Sequence, residues 1–540
     1  MSGAVEAAPS GVAGQVPEAS TAENPRLAIL LAMAMFVLVV DTSIMNVSIS
    51  SVVRDLGTTV SDVQAAIALE ALVSAAFILL SSKIGDLIGR KLAYALGLLG
   101  YAIGAIAMTL AQSIVPVIIF WAVIGGLGAS LLLPSMQSLI HGNFEGAYQR
   151  RVYAMVGAAA AIAAAIGPLL GGFITTFLSW RVAFGLEAVV IAVVLSGLRL
   201  VKDVPYTGPR EIDGVGGILS IIGMGGVVIG ILAWQEGGER VLLLLVIGAI
   251  GLASLARWLV RRKREGKAAL IDPELFRSKV FRYGITGQML QQIALGGMMI
   301  VLPIYLQMVF EYNALQAGLS IAPLSLSMFA VALIAGRRAG NRRSSVIIRV
   351  GFALLTVGAV LIIPIVPRAD SGVALLVPLL IAGSGLGFLV SQLNNYTLAP
   401  IDEEHVSEAA GVNSAAGSFG LSFGLAVAGA IMLATLALSF TQLSASSTVL
   451  TEDQHAQVST ALEEDAQIMS NTQLETLLAD EPEATQTEIV RINDEARQIA
   501  LQVALLIPIL AGVLGFANAF RMVRTPEPKP SGAAEGLLVG

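Results

Sequence analysis

Long apolar runs alternate with short polar stretches along the whole chain, and this alternation is its dominant pattern. Fourteen segments are apolar and close to the length of about 20 residues that a helix needs to cross a bilayer. They do not show the period-two alternation that a membrane β-barrel requires. The pattern therefore predicts an all-α polytopic membrane protein with spans at about 27–49, 62–82, 92–111, 115–140, 152–177, 181–200, 213–234, 241–260, 283–308, 315–335, 345–366, 373–398, 410–438 and 498–522.

The distribution of basic residues predicts the orientation of these spans. Cytoplasmic loops of membrane proteins are enriched in Lys and Arg. With fourteen spans and cytoplasmic termini, only six of the 32 basic residues face outward. Those six are Arg54, Arg181, Arg240, Arg368, Arg491 and Arg497. Removing one internal span would scramble this separation, so the asymmetry supports both the number of spans and their direction.

Composition agrees with this class and places the acidic residues in one segment. Hydrophobic residues make up 56% of the 540 residues and charged residues 13%, against about 25% charged in a soluble domain. The net charge of −6 arises from the twelve acids between residues 441 and 496, which we expect to form an external loop. Residues 1–26, too polar for a signal peptide, and 523–540 are predicted to be cytoplasmic tails, the first one disordered.

The residue types and their spacing argue against several kinds of functional site. The chain has no cysteine, and its three histidines have no ligand spacing. Glycine-rich stretches such as 125–128 fall inside predicted helices and not after strands, which argues against a phosphate-binding loop. We therefore expect no metal, cofactor or nucleic-acid partner, and the pattern disfavours both an enzyme and a receptor that does not transport.

Three motifs carry chemistry that a transporter would use. The link between spans 2 and 3 reads Ser82-Lys-Ile-Gly-Asp-Leu-Ile-Gly-Arg-Lys91, where a turn at Gly89 would let Arg90 reach carboxylates or helix carbonyls. Span 5 contains Gly167-Pro-Leu-Leu-Gly-Gly172, whose small residues allow close helix approach and whose proline bends the helix. Span 1 contains Val40-Asp-Thr-Ser-Ile-Met-Asn-Val-Ser-Ile49.

In their order along the chain, these motifs resemble those of the major facilitator superfamily, in particular its 14-helix drug:proton antiporters. The resemblance implies two six-helix bundles, at 27–200 and 283–522, with two extra helices between them at 201–282. It also implies conformational roles for a set of motif residues: Asp86, Gly89, Arg90, Lys91, Gly167, Pro168, Gly171 and Gly172. One departure matters, because Ala122 stands where the family usually has an arginine in span 4.

Carboxylates inside predicted spans are functional candidates because burying their charge is costly. Asp41 and Glu70 each lie about 12 Å from the outer end of their span, and Glu187 about 10 Å. Low dielectric favours the protonated form of such a group, which is the property that a proton carrier needs. We predict that Asp41 and Glu70 couple transport to protons. Glu187 is a further candidate, although its helix is usually peripheral in this fold.

Polar side chains in other spans are candidate substrate contacts. Gln288, Gln291 and Gln292 share one face of span 9, and Met289, Met298 and Met299 add adaptable apolar surface. Asn46 in span 1, together with Gln392 and Asn395 in span 12, completes this set. Hydrogen bonding between helices is an equally valid reading of these amides.

The sequence thus predicts a proton-coupled antiporter of the bacterial inner membrane that exports small lipophilic or cationic compounds. Its partners would be a small-molecule substrate, protons and the bilayer, and we expect it to work as a monomer. A lipid, siderophore or metabolite exporter, or a uniporter, on the same scaffold remains an alternative.

The topology can be tested by cysteine labelling, because the chain has no native cysteine. Single cysteines would replace Ser10, Ser344 and Ser470. Only the one at position 470 should react with a membrane-impermeant reagent added from outside. Labelling at position 344 from outside would contradict the fourteen-span topology.

Overall fold

The computed structural model describes residues 24–203, 213–235, 240–338, 343–401, 405–450, 474, 478 and 482–525. Within these residues, fourteen helices are long and apolar enough to cross a membrane. They are α1 (Pro25–Leu56), α2 (Val60–Ile88), α3 (Arg90–Leu110), α4 (Ile114–Asn143), α5 (Gly146–Phe177), α6 (Trp180–Leu200), α7 (Gly214–Gln235), α8 (Val241–Arg264), α9 (Lys279–Met308), α10 (Ala314–Arg338), α11 (Ser344–Ile365), α12 (Leu376–Leu398), α13 (Val406–Ser446) and α14 (Glu483–Arg524). The predicted all-α class and the number of spans are confirmed. Both predicted tails lie mostly outside the described residues.

Successive helices run antiparallel, so the bundle has two ends. The connections at 57–59, 111–113 and 178–179 share one of them, which we call the Gly57 end. The turns at 89 and 144–145 lie at the other, the Gly89 end. At the Gly57 end, Arg181 pairs with Asp55 and also donates to the Ala111 carbonyl at 2.5 Å.

The helices form two six-helix halves with an extra pair between them in sequence. In the first half, α1 packs on α5 and α6, while α3 packs on α4 and α6. In the second half, α9 packs on α13 and α14, and α12 packs on α10 and α11. The halves meet along α2 with α13 and along α5 with α10. The extra helices α7 and α8 pack on each other, and α7 also contacts both α2 and α13.

A buried carboxylate fixes the extra pair in place. Asp213, 2% exposed, precedes α7 and accepts from Gly216 N at 2.9 Å, which caps the helix. The same carboxylate accepts from the Trp258 indole of α8 at 2.9 Å and from Leu270 N at 3.1 Å. The start of α7, the end of α8 and the link to the second half are therefore joined at one side chain.

The α5–α10 contact depends on glycines at which backbones approach closely. A Cβ built on Gly172 would lie 2.5 Å from the Ala314 carbonyl oxygen and 2.8 Å from Leu315 Cα. On α10, a Cβ on Gly318 would overlap the Pro168 carbonyl oxygen. Only glycine allows the two helices this separation.

The helices flanking the acidic segment 441–496 are longer than predicted. α13 continues to Ser446, and α14 begins at Glu483 and not near residue 498. Residues 483–497 are too polar for a hydropathy pattern to mark as a span. They are nevertheless helical because Ile489, Ile492 and Ala496 bury one face, where α14 packs on α13. Residues 451–473 of the predicted loop lie outside the described residues.

Substituting Gly172 tests the close approach of the halves. Gly172→Ala should lower the thermal midpoint of the purified protein, because its methyl group meets backbone that cannot move aside without separating α5 from α10. Overpacking of this kind costs about 1–3 kcal/mol. The matched control is Gly157→Ala on the same helix, where a Cβ meets nothing within 4 Å. There the intrinsic preference of helices for alanine, about 1 kcal/mol, should leave the midpoint unchanged or raised. Equal midpoints for the two variants would contradict this packing.

Candidate proton and substrate site

Three buried carboxylates from three helices of the first half lie within electrostatic range of one another. Asp41 on α1, Glu70 on α2 and Glu187 on α6 are 0%, 7% and 5% exposed. Glu70 is repelled by Asp41, and Glu187 by both others. Among the described residues, no Lys or Arg forms an ion pair with any of the three. No fixed positive charge of the described residues therefore balances these three carboxyls.

Asp41 accepts hydrogen bonds from two neutral side chains that the sequence analysis missed. The Tyr101 hydroxyl of α3 donates to Oδ2 at 2.6 Å. The Trp121 indole Nε1 of α4 lies 3.1 Å from Oδ1 and 3.0 Å from Oδ2. Tyr101 and Trp121 are 4% and 2% exposed. Neither belongs to a recognisable motif, because single aromatic residues in apolar helices look like ordinary core residues.

Trp121 lies in an irregular part of α4. Residues Val117–Gly125 form a π-helix, in which each backbone bond spans five residues and the side chains are re-aimed relative to the flanking α-helix. Ala122, at the position where the family usually has arginine, is fully buried. Its neighbour Trp121 supplies a donor to Asp41, but no positive charge.

As expected, α6 is peripheral, since only 28% of its apolar window is buried, but Glu187 lies on its buried face. α6 packs on α3 and α1, and Glu187 points inward from it. Its Oε2 is buried without a hydrogen-bond partner in the described part of the chain. Sequence comparison by helix position could not show this, because the inward face of α6 depends on packing.

The predicted depth of Asp41 also changes. α1 extends to Leu56, seven residues beyond the predicted end, because residues 50–56 continue the helix to a left-handed Gly57. Asp41 therefore lies near the middle of α1 and not in its outer half.

A second face of α1 points to the other half of the protein. Ser50 hydrogen-bonds to Gln307 of α9, and Asn46 lies one turn earlier on the same face. Asn46 is 2% exposed and donates to the Thr42 carbonyl at 2.7 Å, while its Oδ1 has no partner among the described residues. α1 thus carries Asp41 toward the interior of the first half and Asn46 toward the junction of the halves.

The remaining candidate amides divide into two groups. Gln288 and Gln292 lie against Gly417 of α13, and Gln291 is 3% exposed. Within the described residues, the side-chain carbonyl oxygens of Gln291 and Gln292 are buried and have no hydrogen-bond partner. Gln392 and Asn395 on α12 have local bonds instead, each at 3.5 Å to Ser391. The substrate-binding role of all these residues stays a prediction.

The turn between α2 and α3 has the predicted form. Gly89 has a φ of 96°, which a residue with a Cβ rarely adopts. Arg90 forms an ion pair with Asp86, and the Lys91 backbone N–H donates to Asp203 Oδ1 at 3.0 Å. The motif therefore joins the first bundle to the residues that follow α6.

The glycine motif of α5 packs against two helices. A Cβ on Gly167 would lie 2.5 Å from that of Ser43, and one on Gly171 would lie 2.8 Å from Ile44 Cα, both on α1. Pro168 and Gly172 face α10 across the junction of the halves. The motif thus links α1, which carries Asp41, to the second half, while its conformational role stays a prediction.

The family model of the Major Facilitator Superfamily matches residues 31–425, and the chain belongs to this superfamily of membrane transporters. The sequence-based recognition is confirmed.

Two curated relatives of this chain are named as transport or resistance proteins. The chain is 25% identical over 474 residues to a probable actinorhodin transporter of Streptomyces coelicolor, covering 85% of this chain and 80% of that protein. It is 28% identical over 409 residues to the multidrug resistance protein Stp of Mycobacterium tuberculosis, covering 75% of each.

Solved structures agree on the fold. A bacterial homologue of the human lysosomal transporter Spinster, in an inward-facing and unoccupied conformation, superposes with a TM-score of 0.59. It is 12% identical, and the match covers 95% of this chain and 99% of that one. A D-xylose–proton symporter superposes with a TM-score of 0.55 at 14% identity, over 93% of this chain and 98% of that one.

Gly89 provides a test of the turn that holds Asp86 and Arg90. Gly89→Ala should reduce the yield of folded protein and transport, because its Cβ would lie 2.6 Å from Asp203 Oδ2 at a backbone conformation that costs about 1–3 kcal/mol. Gly57→Ala is the control. Its φ is also positive, at 59°, but a Cβ there meets nothing within 4 Å. Gly89→Ala should therefore lower the thermal midpoint more than Gly57→Ala does. A smaller effect at Gly89 than at Gly57 would contradict the close contact between this turn and Asp203.

Proposed function

We propose that this protein is a proton-coupled antiporter that exports small lipophilic or cationic compounds across a bacterial inner membrane. Both termini would be cytoplasmic, so that the Gly57 end faces outward. The basic-residue asymmetry supports the orientation, and the drug-efflux and antibiotic-export names of the relatives support the substrate class. The single observation that carries the proton coupling is the buried cluster of Asp41, Glu70 and Glu187 inside the first half.

The cluster suits proton coupling because its charge is not permanently cancelled. An arginine in contact with Asp41 would hold it as a stable ion pair, whereas Tyr101 and Trp121 bring donors without charge. Binding a proton therefore changes the net charge of the site. A change of net charge in a region of low dielectric is a large free-energy term, and it can shift the balance between two conformations.

α1 connects this charge to the junction of the halves. Asp41 and Asn46 lie on different faces of one helix, and the face of Asn46 and Ser50 reaches Gln307 on α9. In the proposed cycle, protons bind Asp41 and Glu70 from outside, the halves rock, and the protons leave toward the cytoplasm. Movement of α1 during proton uptake would then alter the substrate-facing surface formed with Gln291 and Gln292.

The substrate surface has few fixed charges and several adaptable groups. The unpartnered amide oxygens of α9 can accept hydrogen bonds, and Met298 and Met299 provide polarisable apolar contact. Such a surface fits lipophilic compounds of varied shape, and the carboxylate cluster favours those that carry positive charge. We propose that the protein works as a monomer, with the bilayer and the substrate as its partners.

Neutralising the carboxylates tests the coupling. Asp41→Asn and Glu70→Gln should insert and fold normally, because each nearly keeps its shape, yet lose substrate accumulation driven by a proton gradient. Exchange of substrate down its own gradient should survive, since it needs rocking but no net proton movement. The measurement uses proteoliposomes that contain a pH-sensitive dye, with a panel of lipophilic cations, lipids and siderophores.

Glu187→Gln belongs in the same series, because the structure places its carboxyl in the cluster. Ser384→Ala on α12 is the control, because its hydroxyl donates locally to the Leu380 carbonyl at 2.7 Å, far from the carboxylates in the other half. Full pH-dependent accumulation in both Asp41→Asn and Glu70→Gln would place the proton site elsewhere. Proton flux triggered only by a lipid or siderophore would retain the mechanism but replace the substrate class.

A further inference from the structure

The indole of Trp121 is placed where it controls the state of the Asp41 carboxylate. Its N–H lies almost equally distant from both oxygens, at 3.1 and 3.0 Å, and both residues are buried. A shared contact of this kind fits a carboxylate, whose two oxygens are equivalent acceptors. It fits a protonated carboxyl less well, because the oxygen that carries the hydrogen is a donor and a weaker acceptor than its neighbour.

We propose that Trp121 is a positioning residue for proton uptake at Asp41. The indole N–H donates to both oxygens of the deprotonated carboxylate, and it loses its contact with one of them when that oxygen binds a proton. The proposal rests on the function proposed above for Asp41. In the step itself one O–H bond forms on Asp41 and one of the two N–H···O contacts is lost. The hydronium ion that delivers the proton loses one O–H bond and becomes water, and the net charge of the cluster becomes less negative by one.

The surroundings hold the indole in this position. Its ring meets Phe184 of α6 edge-on, with centroids 6.4 Å apart, and Phe184 is fully buried. On the other side, Gly104 of α3 lets the backbone of α4 approach, since a Cβ there would lie 3.3 Å from Trp121 Cα. The π-helical stretch around Trp121 sets the direction of its side chain. The indole is thus fixed by packing, and its N–H can serve as a preorganised donor.

The titratable groups that face Asp41 come from three neighbouring helices. They are Tyr101 on α3, Glu70 on α2 and Glu187 on α6. Tyr101 also donates to Asp41, but only to Oδ2. Trp121, in contrast, contacts both oxygens, so protonation of either one makes its two contacts unequal.

The first test is the pH dependence of transport in Trp121→Phe. This change keeps a large aromatic ring against Phe184 and removes the N–H donor. Hydrogen bonds to a charged group stabilise that charge, so their loss favours the protonated form of Asp41. The pH midpoint of gradient-driven transport should move upward by about one to two units. Trp234→Phe on α7, where the indole is 48% exposed, is the matched control and should keep the midpoint.

The second test does not require the Trp121 variant to fold. The chain has four tryptophans, and the indole emission of the purified protein in nanodiscs would be followed against pH without substrate. One component of this emission should titrate in the unaltered protein and be absent from Asp41→Asn, because in that variant the Trp121 indole no longer contacts a group that titrates.

The outcomes separate this proposal from the proposed function. An unshifted midpoint in Trp121→Phe, with pH-dependent transport abolished by Asp41→Asn, would overturn the role of Trp121 and leave proton coupling at Asp41 intact. Emission that titrates identically in Asp41→Asn would overturn it as well. If Asp41→Asn keeps full pH-dependent transport, the proposed proton site fails first, and the role of Trp121 fails with it.

Discussion

Burying a carboxylate in the apolar interior of a membrane protein costs several kcal/mol unless donors or a counter-charge offset it. Four helices of the first half surround the buried carboxylate of Asp41 on α1. α3 and α4 each bring one neutral donor to Asp41, and α2 and α6 bring two further carboxyls into the same region. Because no fixed cation of the described residues completes the site, its net charge depends on what binds. A structural ion pair would have removed that dependence.

The two halves touch in different ways at their two junctions. Between α5 and α10 the backbones approach closely at Gly172 and Gly318, and the Leu315 N–H of α10 donates to the Thr176 hydroxyl of α5 at 3.0 Å. At the junction of α2 and α13, apolar side chains of both halves, among them Ile78, Leu79 and Val412, share one buried cluster, and the Ser422 hydroxyl donates to the Ala68 carbonyl at 2.7 Å. The α5–α10 junction is therefore held by close backbone approach, whereas separating α2 from α13 exposes apolar side chains of both halves.

The sequence predicted the features that depend on composition and local geometry. Apolar length predicted fourteen helices. A turn was expected at Gly89 because it would let Arg90 reach carboxylates or helix carbonyls. Features that depend on which way a helix faces were not predictable. The inward position of Glu187 could not be predicted because a peripheral helix still buries one face, and Trp121 was missed because a lone aromatic residue forms no pattern. The polar start of α14 escaped detection because it is stabilised by packing on α13 and not by lipid.

The extra pair α7 and α8 makes the two sides of the molecule unequal. α7 lies against both α2 and α13, and Asp213 ties it to α8 and to the link that leads into the second half. The junction at α2 and α13 therefore has protein over it, whereas within the described residues α7 does not pack to a comparable extent on α5 or α10. In a bilayer, acyl chains would meet the second junction without a helix of the extra pair between them. The thickness and fluidity of the membrane would then act on the two halves from one flank only.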